Sequence, residues 1–170
     1  MRYAGLLPYG DPRDNELTRA QLVGNDAWGI AGCRAAATLA RLAGADSLAR
    51  AADSAAADYR AAFVTALART GSRDIPPSWQ GVGRDWGNLA VGYPTRVLPA
   101  DDLRLAVLAR RIRARTGRPG LVSYGPLDTL HTYLGTDLAQ WALLAGRAAE
   151  ARAYLADLLA HSSSTLSQAE

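Results

Sequence analysis

Twice in this chain a helical rhythm of Ala, Leu and Arg stops at a single glycine and resumes at once. The first stop is Gly44, which closes WGIAGCRAAATLARLAG (28–44). The second is Gly146, inside WALLAGRAAEARAYLADLL (141–159). Connections this short leave the flanking helices no choice but to run antiparallel, so each glycine marks a helical hairpin. The two hairpins look alike in sequence, and repeated hairpins of this kind build helical arrays or toroids.

The rest of the chain follows from that frame. Residues 1–24 read as loop, punctuated by Gly5, Pro8, Gly10 and Pro12. Asn25 or Asp26 is placed to cap a first helix running to about Leu42. Asp46 or Ser47 opens a second, ending near Gly71, with Leu48, Ala52, Ala55, Tyr59, Ala62 and Ala66 as its apolar row and Phe63 and Leu67 beside it. Asp101 and Asp102 start a third helix, on which Leu105, Leu108 and Ile112 share a face. It ends before Gly117. A fourth is expected over 128–145, with Leu134, Leu138, Trp141 and Leu144 on one side, and a fifth over 147–161. No stretch of period two competes with these. The expected class is therefore all-α, a single domain over 1–170 of antiparallel helical hairpins forming part of an (α/α) toroid.

Composition narrows the functions. Of 170 residues, 49% are hydrophobic and 21% charged, which suits a globular domain. No apolar run reaches the roughly 18 residues of a membrane span, and no membrane partner is expected. MRYAGLLPYGDPRDNE lacks the plan of a signal peptide, which points to the cytoplasm. All 19 basic residues are Arg, a bias that fits a GC-rich, bacterial coding sequence. They are spread along the chain. The densest run, ARRIRARTGR (109–118), carries no aromatics and reads as a solvated helix end, so nucleic acid is not expected as a partner. Cys33 stands alone in an apolar helical run, reads as a buried inert thiol and allows no internal disulfide.

The chemistry lies in the connections. PPSWQGVGRDWGNL (76–89) sets Trp79 and Trp86 among glycines, with Asp85 against the second Trp and Arg84 and Asn88 nearby. NDAW (25–28) puts Asp26 near Trp28. LHTYLGTDLAQW (130–141) carries His131, Tyr133, Asp137 and Trp141. Aromatic rings with polar groups at their edges are platforms for sugars. Glycoside hydrolysis adds two facing carboxylates, roughly 5–5.5 Å apart in retaining enzymes and about 6.5–9.5 Å in inverting ones. Each residue also has a plainer reading. Asp26 could be a helix cap, Asp85 a turn residue, Trp79 and Trp86 plugs at the top of a hairpin, His131 a buried hydrogen-bonding group, Asp137 a surface residue, and Glu170 part of a frayed tail. Asp137 is the hardest to dismiss, because Asp is a poor helix former in mid-helix.

Other sites fit poorly. GVGRDWG (81–87) has the wrong glycine spacing and no preceding strand for a phosphate loop. Two histidines thirty residues apart, without HExxH, make no metal site, and no metal or cofactor is expected. Ser162, Ser163 and Ser164 read as a tail.

Taken in order, GLLPYGDP (5–12), NDAWGIAGCRAAATLARLAG (25–44), RDWGNLAVGYP (84–94) and LHTYLGTDLAQWALLAGR (130–147) resemble bacterial glycoside-hydrolase-like proteins of the six-hairpin, (α/α)6 toroid superfamily. The resemblance implies a ring of helices around a sugar-binding funnel, with carboxylates at one end as acid and base. It points to Asp85 as general acid with Trp86 as its apolar wall, to Asp137 or Glu170 as the opposing base, and to Arg84, His131 and Tyr133 as groups that orient hydroxyls. Asp26, Trp28, Trp79 and Trp86 would complete the carbohydrate contacts. A full ring has twelve helices and this chain about five. The resemblance therefore implies a partial domain with weak or no hydrolase activity and with uncovered helix faces that favour self-association. The competing expectation is a non-catalytic, tetratricopeptide-like interaction module, for which AQWALLAGRAAEARAYLADLLAH (139–161) is the best match. The long, aromatic connection over 71–100 favours the first. Convergence of Asp26, Asp85, Asp137 and the Trp rings on one cleft would support it, and scatter would support the second.

Overall fold

A computed structural model describes residues 3–10, 18–116, 122–123 and 130–166. Among them are five α-helices: α1 (Val23–Leu42), α2 (Asp46–Thr70), α3 (Leu103–Thr116), α4 (Thr132–Leu144) and α5 (Ala148–Ala160). A 3-10 helix at Gly87–Val91 interrupts the α2–α3 connection. A two-residue antiparallel pair, β1 (Val122–Ser123) with β2 (Leu130–His131), precedes α4. The all-α class holds, and no helix among the described residues is long and apolar enough to cross a membrane.

Both hairpins form, α1 against α2 and α4 against α5. Their turns are built alike. Gly44 (φ 71°) and Gly146 (φ 72°) take the left-handed conformation that glycine enters without a steric penalty. The next N–H then reaches back five residues, Ala45 to the carbonyl of Ala40 and Arg147 to that of Ala142, each at 2.8 Å. The carbonyls of Ala45 and Arg147 in turn accept from Ala49 and Ala151, starting the second helix at once.

Three local expectations shift. First, α1 begins at Val23, not at a side-chain cap on Asn25 or Asp26. The long connection does the capping: Val23 N–H donates to the Pro77 carbonyl at 3.2 Å, and Trp79 N–H to Gln21 at 3.0 Å. Second, α2 turns its core face one position past the predicted row. Ala49, Ala56, Phe63, Ala66 and Leu67 are buried, while Leu48 and Ala55 are exposed. Burying one Phe and one Leu outweighs burying a row of alanines, so those two side chains set the rotation. Third, α4 starts at Thr132 because Leu130 and His131 are extended and paired with β1. On its C-terminal side Leu134, Leu138 and Trp141 are buried as expected, but Leu144 is exposed. Cys33 is half-buried rather than buried.

One core runs through all five helices, including Ile30, Phe63, Leu108, Leu134, Trp141 and Tyr154. The 3-10 helix is pressed onto the start of α1. A Cβ on Gly24 would lie 2.4 Å from the backbone of Gly87, so position 24 has to be glycine for the two segments to touch. At the far side, Glu150 ties α3 to α5. It pairs with Arg113 at 2.6 Å and Arg147 at 3.0 Å and accepts from the Tyr154 hydroxyl at 2.6 Å. Burial opposes the charge on Glu150. The hydrogen bonds from Tyr154 and Arg147 and the charges of Arg113 and Arg147 outweigh it, and hold the carboxyl below its ordinary value.

Candidate functional site

The candidate residues fall into three clusters along the connection between α2 and α3. The first centres on Asp26, in the first turn of α1 and fully buried. Its Oδ1 accepts from Leu7 N–H at 2.8 Å and from the Tyr59 hydroxyl at 2.5 Å. Its Oδ2 accepts from Trp79 Nε1 at 2.6 Å. Three donors and the positive end of α1 offset the cost of burying the charge. Burial, and after it the hydrogen bond to Asp26, pushes the Tyr59 phenol well above its ordinary range, so Tyr59 acts purely as a donor. The Trp79 ring is 3% exposed and lies between Tyr3 and Phe63. This cluster fastens residues 3–10, α1, α2 and the loop together. Asp26 and Trp79 are therefore parts of the core: the carboxylate is fully buried with three donors, and the ring is all but buried.

The second cluster centres on Asp85, also 3% exposed. Its Oδ1 accepts from Asn88 Nδ2 and Arg111 Nη2, both at 2.9 Å. Its Oδ2 lies 2.6 Å from Arg111 Nη1 and 2.8 Å from Arg115 Nη1. Arg111 holds Asp74 on its Nε edge, so one guanidinium joins two loop carboxylates. Asn88 also donates to the Ile75 carbonyl and accepts from Trp86 N–H, each at 2.9 Å. The expected acid role does not suit a buried carboxylate that four donors already surround. Asp85 is where the loop is bolted to α3. The Arg-dense run is corrected with it: Arg111, Arg113 and Arg115 are all paired with carboxylates, not left as a solvated helix end.

The third cluster keeps three expected residues together. The Trp86 ring lies 4.7 Å from His131 and 5.9 Å from Tyr133, centroid to centroid, and His131 lies 5.8 Å from Tyr133. His131 is buried, Trp86 half-buried and Tyr133 exposed. The pleat of β2 and the first turn of α4 bring His131 and Tyr133 to one side, and the 3-10 helix carries Trp86 to them. One turn after Tyr133, at the i+4 position that neighbours it on the helix surface, stands Asp137. Asp137 is half-buried, and burial alone pushes its carboxyl up to about 6.

The other candidates lie apart. Trp28 is 54% exposed on α1, and Arg84 is exposed in the loop. Glu170 lies outside the described residues. Among the described residues Asp26, Asp85 and Asp137 have no hydrogen-bond or ion-pair partner in common. A cavity of about 490 Å3 adjoins the first two clusters, with Tyr3, Arg69, Asp74, Gln80 and Arg111 on its wall. The residues missed in the sequence are those that complete the networks: Gln21, Tyr59, Asp74 and Arg111. Gln21 accepts from Tyr3 N–H and donates to the carbonyls of Tyr3 and Leu7. The alternation of Arg111, Arg113 and Arg115 on a helix, opposite a loop with Asp74 and Asp85, was the available signal for the second network. Among the described residues no group of three or more His, Cys, Asp or Glu is placed to hold a metal ion. No family model, curated protein or solved structure matches the chain.

Proposed function

We propose that the chain is a carbohydrate-binding domain of glycoside-hydrolase type, part of an (α/α) hairpin ring, that grips a sugar at Trp86 and Tyr133 and presents Asp137 as its proton-handling group. One observation carries this: a half-buried carboxyl at about 6 stands one turn from a Tyr that packs on a Trp. Such a carboxyl keeps its proton up to about pH 6, well above an ordinary Asp, and can pass it to a leaving oxygen. Hydrolysis needs a second carboxylate across the sugar. With Asp26 and Asp85 committed to the fold, Glu170 is left as the opposing base, and the chain alone binds sugars more readily than it cleaves them. On this reading the exposed Leu39, Leu42, Leu48, Leu143, Leu155 and Leu159 are where a neighbouring hairpin or a second copy packs.

The second reading is a helical-repeat interaction module. What favours it is the matching hydrogen-bond pattern of the Gly44 and Gly146 turns. A glycan array separates the two. Binding to a defined glycan class, lost in Trp86→Ala and Tyr133→Ala while the circular-dichroism spectrum is kept, supports the sugar site. Absence of glycan binding by the wild-type chain, or binding that both variants retain, overturns it.

A further inference from the structure

A second cavity, of about 400 Å3, opens between α1, α2 and the segment 92–100. Three arginines line it: Arg34 from α1, Arg60 from α2 and Arg96 from the connecting segment. Some arginines of the fold meet acids, as Arg41 does Asp53, Arg104 does Asp102 and Arg111 does Asp74 and Asp85. None of these three pairs with a carboxylate among the described residues, and no Asp or Glu lines the cavity.

They are nevertheless held in place. Arg34 Nη1 donates to the carbonyls of Thr95 and Arg96, each at 3.2 Å, and Arg60 Nε donates to the Val97 carbonyl at 2.9 Å. Two cations from different helices are thereby fixed on three consecutive residues. Arg60 anchors through Nε alone, which leaves its Nη1/Nη2 edge without a hydrogen bond among the described residues. That planar pair of donors is the edge that matches two oxygens of a phosphoryl or carboxylate group. The backbone that receives both anchors is itself strained: Arg96 has φ 51°, in the left-handed region that non-glycine residues rarely enter. Gathering like charges on a strained segment without a counter-charge costs free energy, and an anion in the cavity would recover it. The remaining wall is apolar, from Leu98, Pro99, Ala100 and Leu144.

We propose that the cavity enclosed by Arg34, Arg60 and Arg96 binds a phosphoryl group carried on a small apolar body. The site is separate from the sugar surface proposed above. Leu144, on the cavity wall, is eleven residues beyond Tyr133, about 16 Å along α4.

The test is isothermal titration calorimetry on the full chain in a phosphate-free buffer, with inorganic phosphate, phenyl phosphate and phenol as probes. Both phosphates should bind, phenyl phosphate more tightly, and phenol should not. Affinity should fall as salt rises. Arg60→Gln and Arg34→Gln should each weaken phenyl phosphate about tenfold or more, the loss of one charge-assisted pair. Arg50→Gln, on the exposed side of α2, should stay within about twofold. Arg96→Gln removes a guanidinium that makes no hydrogen bond among the described residues, so it keeps the fold if either helical variant fails to. It too should weaken binding several-fold. Tighter binding of inorganic phosphate than of phenyl phosphate would assign the site to the free ion and reject the apolar body. Absence of heat with both phosphates, or unchanged affinity in Arg96→Gln, overturns the proposal.

Discussion

Two buried acids in the α2–α3 connection and its helix neighbours, Asp26 and Asp85, contrast with a third on α4, Asp137. The first two are shut away from solvent and surrounded by donors: backbone, phenol and indole N–H or O–H for Asp26, guanidinium and amide for Asp85. Asp137 is less buried, yet burial is the sole cause moving its carboxyl, and it moves it upward. Burial with donors makes a carboxylate a fastener. Burial without them makes it a group whose proton is poised. Position in a loop or next to a Trp does not distinguish the two, because the deciding donors come from far along the chain.

The contrast is broken most severely by removing a donor from Asp85. Arg111→Met leaves a carboxylate that is 3% exposed with Arg115 and Asn88 only, and takes the ion pair from Asp74, which keeps the Ser72 hydroxyl. Taking one partner from a buried ion pair costs about 3–5 kcal/mol, which urea unfolding will read directly. Replacing both charges, as Arg111→Met with Asp85→Leu, should recover a large share of that loss. A single Arg111→Met variant within about 1 kcal/mol of wild type would show that Asp85 is not the bolt described here.

A milder break is Tyr59→Phe. It deletes one hydroxyl and leaves Asp26 with Leu7 N–H and Trp79 Nε1. A hydrogen bond to a charged group is worth about 1.5–3 kcal/mol. The loss should appear in thermal unfolding with little change in the glycan or phosphate titrations. Loss of sugar binding in this variant would return Asp26 to the binding surface.

Much of the helical frame was legible because its signals are local. Gly44 and Gly146 announce turns whose geometry needs a residue at positive φ. Leu105, Leu108 and Ile112 repeat at helical spacing and are all buried as read. The start of α1 was not legible, since its cap is the carbonyl of Pro77, over fifty positions away in sequence. The rotation of α2 was hidden for a related reason: a row of alanines and a row led by Phe63 and Leu67 are one residue apart, and only the packing partner chooses. The site was half legible. Trp86, His131 and Tyr133 do meet, because aromatic residues flanking a helix start have few places to go. Asp26 and Asp85 were assigned to chemistry because their partners Tyr59 and Arg111 lie 33 and 26 residues away. Nothing adjacent to either aspartate signals that its oxygens are already taken.

The finest test of the contrast is the pH dependence of stability at Asp137. Its carboxyl sits at about 6 in the folded chain against an ordinary 3.8. Between those values the folded state holds the proton that the unfolded chain has released, so stability from this group falls as pH rises from about 4 to about 6 and stays lower above. Asp137→Asn cannot ionise and escapes that loss. It should therefore be more stable than wild type at pH 7, by about 1 kcal/mol once the screening of a half-exposed carboxyl is allowed for, and should match wild type below about pH 4. Glu150 works in the opposite sense. Its lowered carboxyl adds stability above its ordinary 4.5 that is lost as pH falls, so Glu150→Gln should narrow the acid side of the same curve. Denaturant titrations of the three proteins across pH 3–8 read both effects. If Asp137→Asn follows the wild-type curve throughout, the carboxyl is not held near 6 by burial. The third cluster would then lose the property that sets it apart from the other two.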